Sequence, residues 1–207
     1  MGGMSDTRAV RIGLQLQPQH ADYSDIRRTV AAAEDAGVDV IFNWDHFFPL
    51  YGEPDGKHFE CWTMLGAWAE ATSRVEIGAL VTCNSYRDRW TRINPAPTRD
   101  IPVLIGGGGE KKTLRYTAEH ATIWHGFGDV GTVVHKCSVL DAHCRDIGRD
   151  PAGIERSAGV EGAPEDLGPG LYDSGVRMFT VGQDGQDGYD LGRLTEWIAW
   201  RDERNAG

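Results

Sequence analysis

Short apolar runs alternate along the chain with longer segments in which apolar residues recur every three or four positions. The first pattern is typical of buried strands and the second of amphipathic helices. Strands are predicted at residues 10–17, 38–44, 74–83, 101–107, 122–128, 154–162 and 176–182. Helices are predicted at about 24–36, 61–72, 110–121, 132–147 and 191–203, with at best a short helix between 162 and 176.

The regular alternation of strands and helices predicts a parallel sheet, either doubly wound or closed as a barrel. Several of the strands are apolar almost throughout, as parallel strands covered on both faces tend to be. The chain of 207 residues is long enough for a substantial core, and one domain is the simplest organisation.

One stretch interrupts the alternation. Residues 84–97 read NSYRDRWTRINPAP and have no clear period. A connection between parallel neighbours needs a dozen or more residues, usually with a helix that covers the sheet. Pro95, Pro97 and Pro102 leave little room for such a helix. We therefore treat residues 84–100 as an atypical junction.

Composition and charge narrow the range of partners. A formal net charge of -10 argues against a sequence-independent nucleic-acid binder, which needs a basic face. No apolar run is long enough to cross a bilayer, and the first residues lack the apolar core of a secretory signal, so a cytoplasmic location is expected. The four cysteines form no CxxC pair; they are interpreted as core residues, and no metal site is predicted.

The first candidate for chemistry is Asp45–His46, directly after the second predicted strand. In parallel barrels the active site collects at the carboxyl ends of the strands. A histidine beside a carboxylate can exchange a proton near neutral pH. The alternative is a loop pair that makes only local hydrogen bonds.

The second candidate is the glycine run 106–109, between an apolar strand and a helix. Glycines let the backbone approach a ligand closely, and a helix N-terminus offers free N–H groups to an anion. Lys111 and Lys112 add positive charge, whereas the Walker and G-x-G-x-x-G spacings both fail at Lys111. His125 and Gly126, at the end of the next strand, would complete the wall of a phosphate pocket. The alternative is a tight strand-to-helix turn.

Five segments, taken in this order, resemble the luciferase-like monooxygenase superfamily, and specifically its deazaflavin-dependent oxidoreductase branch. They are RIGLQLQ, NWDHFFP, IGALVTCNSYR, IPVLIGGGGEKKTLRYTAEHATIWHGFG and GVRMFTVG. The resemblance covers nearly the whole chain. It implies a TIM-barrel-like (β/α)8 fold and the use of coenzyme F420, a deazaflavin that transfers hydride.

The resemblance also implies roles for individual residues. Asp45 and His46 would be catalytic, with His46 as the proton donor or acceptor. A segment behind the deazaflavin ring, where the family often has a non-proline cis peptide, would be formed by Leu80, Val81, Thr82 and Cys83. The phosphate of the cofactor would be held by Gly106, Gly107, Gly108, Gly109, Lys111, Trp124, His125 and Gly126.

The chain departs from the family pattern after Arg87. Relatives continue there with a helix, a fourth strand and a further helical region, whereas Arg87 is followed almost at once by a segment that resembles the approach to the fifth strand. Roughly sixty residues of the plan are absent, which agrees with a full barrel of about 250 residues. We expect one domain, 1–207, folded as an incomplete barrel of about seven strands, open at the junction, with a partner as one means of covering the gap.

The leading hypothesis is therefore hydride transfer between coenzyme F420 and a small organic substrate. One alternative keeps the reaction class with FMN as the cofactor, in a monooxygenase-like enzyme. The other is a non-catalytic, truncated protein that binds a cofactor or a partner. Relatives often dimerise through helices near the second to fourth strands, so the resemblance allows a homodimer. It does not identify the substrate.

Overall fold

The computed structural model describes residues 7–82, 99–186 and 188–207. Seven strands form one sheet, in which every neighbouring pair is parallel. The strands are β1 (Arg11–Leu16), β2 (Val40–Asn43), β3 (Glu76–Ala79), β4 (Leu104–Gly106), β5 (Ile123–Gly126), β6 (Glu155–Val160) and β7 (Val176–Gln183).

The order across the sheet is β3-β2-β1-β7-β6-β5-β4. The first and last strands of the chain, β1 and β7, are therefore central neighbours, as in a closed barrel, while β3 and β4 are the two edges. The sheet curls into an incomplete barrel, which confirms the predicted fold class and the opening between the third strand and the next. Residues 84–98 of the predicted junction lie outside the described residues, so the interpretation of that segment stays a prediction.

Six helices cover the outside of the sheet. They are α1 (Tyr23–Ala36), α2 (Cys61–Ala71), α3 (Thr113–His120), α4 (Val130–Asp146), α5 (Pro164–Asp173) and α6 (Gly192–Ala206). α1 ends at Gly37, whose φ of 95° only glycine adopts readily. α4 begins at Asp129, whose side chain accepts a hydrogen bond from the Thr132 N–H. None of the helices in the described ranges is long and apolar enough to span a membrane.

Helix α5 is longer than the short helix predicted between residues 162 and 176. Pro164 occupies its first turn, where a missing N–H costs nothing. Gly168 lies against Trp200, and an added Cβ there would be 2.6 Å from the indole ring. The helix forms because its apolar face packs on α6, a tertiary effect that overrides the glycine and proline content of the segment.

Successive side chains along each strand point alternately into two cores, one on each face of the sheet. One face packs under the helices and contains Leu14, Trp124 and Phe179. The other face lines the inside of the curled sheet. Its buried apolar residues are Val40, Phe42, Leu80, Ile123 and Met178.

Charged side chains lie inside the curled sheet at the N-terminal ends of the strands. Arg11 donates to Glu155 at 3.2 Å and to Glu76 at 2.5 Å. Glu155 is buried, and its pKa is raised by that burial while Arg11 counteracts the rise. The guanidinium therefore offsets two carboxylates that belong to strands on opposite sides of β1 and β7.

The opening between β3 and β4 leads into a cavity of about 400 Å³. Its walls include Phe42, Leu104 and Met178 from the inner core. Ile101 and Val103 are 58% and 49% exposed beside it. Within the described residues, no further strand pairs with either edge, so apolar surface that a complete barrel would enclose is accessible here.

Candidate active site at the carboxyl ends of the strands

Asp45 and His46 follow the carboxyl end of β2. Asp45 is 2% exposed, and its N–H donates to the Val81 carbonyl at 3.3 Å. His46 is half-buried, and its ring meets the edge of Trp44 at a centroid distance of 5.2 Å. The hydrogen bond fixes this turn to the residues after β3, while the His46 imidazole keeps access to solvent.

Two further histidines lie close to His46. Trp44 Nε1 donates to His58 Nε2 at 3.3 Å, and His20 Nε2 is 2.7 Å from the Tyr51 carbonyl. Burial lowers the pKa of His58, and the neighbouring His46 and His20 lower it further. The neutral form of the His58 ring is therefore favoured.

The segment after β3 is tied to its neighbours through the backbone. The peptide bond between Leu80 and Val81 is cis. The Leu80 N–H donates to the Asn43 carbonyl at 2.7 Å, and Gln15 Nε2 donates to the Leu80 carbonyl at 2.7 Å. Val81 and Thr82 are exposed at the rim, and Cys83 lies outside the described residues.

The glycine run forms a tight loop between β4 and α3. Gly107 has a φ of 118°, and its N–H donates to the His125 carbonyl at 3.0 Å. A Cβ at Gly106 would lie 3.0 Å from Val81 Cγ1, and one at Gly109 would lie 2.8 Å from Thr113 Oγ1. The loop therefore requires glycine at Gly107 for its own conformation and is tightly packed at Gly106 and Gly109, so a close approach to a ligand and a tight turn are both compatible with it.

The charges around this loop are mixed. Lys111 is exposed, whereas Lys136 on α4 packs its side chain against Gly108. Glu110 accepts from Lys136 Nζ at 2.6 Å and approaches His135 Nε2 at 3.0 Å, and both contacts lower the pKa of Glu110. Part of the positive charge next to the loop is thus already balanced by a carboxylate of the chain itself.

Trp124 and His125 point to opposite faces of β5 and do not line the same space. Trp124 is buried under the helices, and its Nε1 donates to the Gly107 carbonyl at 2.9 Å. It therefore supports the glycine loop from behind. Gly126 makes room for it, because a Cβ there would be 2.6 Å from the indole ring.

His125 faces the interior and is 1% exposed. Its Nδ1 is 2.8 Å from Ser157 Oγ, which in turn is 3.3 Å from Thr180 Oγ1. Burial lowers the pKa of His125 to about 4, so the ring is neutral near pH 7. As a neutral imidazole it offers one donor and one acceptor, and it carries no positive charge toward a phosphate.

A cavity of about 470 Å³ opens beside His125 at the carboxyl ends of β1, β5, β6 and β7. Of its polar residues, only His125 is among the predicted site residues. The others include Gln15, Gln17, Asp129, Glu161 and Thr180. Gln15 and Thr180 could have been found from the strand alternation, because both occupy inward positions of predicted strands; Ser157 is found by the same rule.

The predicted site segments form one continuous series of contacts along the rim. Asp45 bonds to Val81, Val81 packs on Gly106, and Gly107 bonds to His125. The ends of β2, β3, β4 and β5 are therefore brought together even though β3 and β4 are not paired. Within the described residues, no group of three or more histidine, cysteine or acidic side chains could hold a metal ion.

Comparison with known proteins finds a family likeness over the first part of the chain. Residues 8–93 match the family model described as luciferase-like monooxygenase. This match, together with the incomplete barrel of parallel strands, confirms the resemblance to the luciferase-like monooxygenase superfamily. No curated protein sequence gives a significant match to the chain.

Solved structures share the fold at low sequence identity. An F420-dependent secondary alcohol dehydrogenase, in complex with an F420–acetone adduct, superposes with a TM-score of 0.71 at 12% identity over 84% of this chain and 93% of that one. A coenzyme F420 dependent tetrahydromethanopterin reductase from Methanopyrus kandleri gives 0.68 at 12% identity over 94% and 98%. A riboflavin lyase with modified FMN gives 0.53 at 12% identity over 81% and 67%. At this identity the likeness concerns the fold.

Proposed function

We propose that the protein is an oxidoreductase that transfers a hydride between coenzyme F420 and a small organic substrate. The observation that carries this proposal is the continuous rim from Asp45 through Val81 and Gly106 to His125. It keeps the acid–base pair, the cis segment and the glycine loop in mutual contact at the edge of the sheet where parallel barrels hold their ligands. The F420-dependent neighbours support the choice of cofactor.

The residues present fit a flavin-like group with a phosphate tail. The glycine loop leads into α3, whose first N–H groups have no side-chain cap, and Lys111 is exposed beside it. Gly107 adopts a φ that side chains other than glycine rarely adopt, so the loop backbone is bare on its outer side. We assign the phosphate to Gly107, Gly108 and Gly109 with Lys111, supported from behind by Trp124.

His125 has a different role in this proposal from Lys111. Because its ring is neutral, it orients by hydrogen bonding rather than by charge. Its Nε2 atom is buried without a hydrogen-bond partner in the described residues. An unsatisfied buried polar atom at the mouth of a barrel is most simply explained by a ligand that completes its hydrogen bonding.

The chemistry is divided between cofactor and protein. When bound, the deazaflavin supplies a carbon centre that accepts or gives a hydride. His46 holds the proton that leaves or reaches the substrate oxygen, at an imidazole that solvent can recharge. The buried Asp45 fixes the turn that carries His46, through its N–H to Val81. The rim positions both groups before the substrate arrives.

Two other functions have specific support. The riboflavin lyase neighbour contains a modified FMN, which keeps FMN as a second candidate cofactor. The opening between β3 and β4 leaves part of the inner core accessible, which favours a non-catalytic binding protein if no cofactor binds.

Substitution of His46 tests its assigned role. His46→Gln is expected to reduce kcat by about 100-fold or more while the Kd for coenzyme F420 stays within a factor of about two, since proton transfer contributes to the rate and not to cofactor affinity. His120→Gln is the matched control, because His120 is an exposed residue at the C-terminal end of α3, the end away from the glycine loop. Normal turnover of His46→Gln would remove His46 from the mechanism.

A further inference from the structure

The 470 Å³ cavity beside His125 has walls that differ in charge from those of the glycine loop. It lies at the ends of β1, β5, β6 and β7, on the other side of β5 from the glycine loop and from Lys111 and Lys112. Its ionisable residues are His125, Asp129 and Glu161, and none of its lining residues is a lysine or arginine. The cavity therefore has no cation to balance an anionic ligand.

Hydrogen-bond acceptors predominate on these walls. The side-chain nitrogen of Gln15 donates to the Leu80 carbonyl, so the side-chain oxygen of Gln15 is left to accept from a ligand. Glu161 makes no hydrogen bond or ion pair within the described residues, whereas Asp129 uses one oxygen for the α4 N-cap. These acceptors call for a ligand that donates.

The neighbouring charges do not reverse this balance. Arg193 lines an adjoining surface depression with Glu161 and Asp184. Its guanidinium is already paired with Glu196 at 2.7 Å. The depression adds one arginine and one aspartate, so the cavity stays acidic overall.

The buried histidine gives an independent indication of a ligand. His125 lines the cavity, is 1% exposed, and has no partner for Nε2 within the described residues. Phe127 packs on it edge-on at a centroid distance of 4.6 Å, and Gly159 leaves space next to Nε2, 3.7 Å from where a Cβ would stand. Nδ1 of the same ring is held by Ser157, which is in turn paired with Thr180, so Nε2 is the ring nitrogen left for a ligand.

The rest of the wall is apolar. Phe127, Val160 and Leu167 contribute carbon surface. Phe127 is 60% exposed, so an aromatic or aliphatic ligand body would cover surface that is otherwise in water. The volume lies within the usual range for small-molecule sites, about 300–1,000 Å³.

We infer that this cavity is the substrate subsite and that it takes a small molecule with an apolar body and a hydrogen-bond-donating, non-anionic head, an amine or a hydroxyl group, bound by His125 Nε2 and Glu161. That the occupant is the substrate rests on the proposed oxidoreductase function; the charge preference of the cavity does not. The phosphate tail of a cofactor would be excluded from this cavity and directed to the glycine loop.

Three probes of nearly equal size test the inference. They are 1-phenylethylamine, 1-phenylethanol and phenylacetate, each measured by saturation-transfer NMR and calorimetry on the full chain without cofactor. We expect the amine to bind best and the carboxylate worst, with roughly a ten-fold difference in Kd between them. Equal or tighter binding of phenylacetate, or no binding of any probe, would overturn the inference.

Two variants locate the binding. Glu161→Gln is expected to reduce amine affinity toward that of the alcohol, because it removes charge and keeps the shape. His125→Gln is expected to weaken both the amine and the alcohol by several-fold, while His120→Gln changes neither. If neither cavity variant changed probe binding, the probes would bind at another site and the inference would be overturned. Because no cofactor is present, failure of the probes and failure of coenzyme F420 to bind are separate results.

Discussion

Val81 Cγ1 lies 3.0 Å from the position that a Cβ atom at Gly106 would occupy. The two residues belong to the ends of β3 and β4, the opposite edges of the sheet. Their close approach joins the rim across the gap at the carboxyl ends, while the cavity between the same strands stays open further down. The shortened barrel thus retains contact where a ligand would be held.

Gly106→Ala should disturb this contact. The added methyl group meets Val81 at a distance tighter than normal packing, although the exposed Val81 side chain can move aside in part. We expect the free energy of unfolding, measured with urea, to fall by up to about 1 kcal/mol, the lower end of the cost of overpacking. Because Val81→Ala creates the missing space, the double variant should recover most of the loss. Gly153→Ala serves as the control, since nothing lies within 4 Å of its added Cβ.

Trp124→Phe tests whether Trp124 holds the glycine loop in a conformation that binds the cofactor, in addition to its contribution to overall stability. The change removes the donor to the Gly107 carbonyl, which costs about 1 kcal/mol, and the smaller ring leaves a cavity that adds to the loss. Trp197→Phe is matched, since its indole donates to the Gly162 carbonyl at 3.1 Å on another loop. We expect similar destabilisation of the two variants and weaker binding of coenzyme F420 only in Trp124→Phe. Equal affinity in both would contradict the role of Trp124.

The stability of the protein should depend on pH through His125. Its pKa is lowered from 6.5 to about 4 in the folded state, so the unfolded chain binds more protons between these values. Stability attributable to His125 is therefore complete above pH 6.5 and is lost progressively as pH falls from 6.5 to about 4, by about 3 kcal/mol in total. Carboxylates titrate in the same pH range. The contribution of His125 is therefore measured as the difference in stability between the native protein and His125→Gln.

Urea unfolding at pH 7 and pH 4 isolates this contribution. Between the two values the native protein should lose about 3 kcal/mol more than His125→Gln, which has no titrating group. His120→Gln should follow the native protein. Parallel pH profiles for native protein and His125→Gln would show that His125 is not held neutral by burial.

Arg11 should contribute strongly to stability. Arg11→Leu removes the main counter-charge of the buried Glu155, which Arg8 offsets only in part, together with the more exposed pair with Glu76, and we expect a cost of about 2 kcal/mol. Arg28→Leu removes an exposed pair with Asp25 and should cost less than about 1 kcal/mol. Thermal unfolding of both variants checks the contrast. If Arg11→Leu lost as little stability as Arg28→Leu, the ion pairs of Arg11 with Glu76 and Glu155 would not stabilise the barrel.

Much of the fold was accessible from the sequence because it follows from local periodicity. All seven predicted strands and the five firmly predicted helices are present. The gap was predicted from the departure from the family pattern after Arg87, and the prolines of the junction argued against a covering helix there. The third strand was predicted as 74–83, but its ladder spans only Glu76–Ala79. A strand at an edge has one partner, and composition does not indicate how far that pairing extends.

The site was harder to predict from the sequence than the fold, because the directions of side chains and long-range packing determine which residues come together. Sequence adjacency grouped Trp124 with His125, although neighbouring residues of a strand point to opposite faces. The contact between Val81 and Gly106 depends on the curl of the whole sheet, which no local pattern encodes. The partners of His125, Ser157 and Thr180, belong to other strands and carried no motif.

The most direct test of the proposed function is a fluorescence titration of the purified protein with coenzyme F420, with FMN in parallel. We expect saturable binding of coenzyme F420, weaker binding of FMN, and loss of binding in Gly107→Val, since that position requires a φ of 118°, but not in Gly153→Ala. Saturation by neither cofactor would contradict the account and leave a non-catalytic protein.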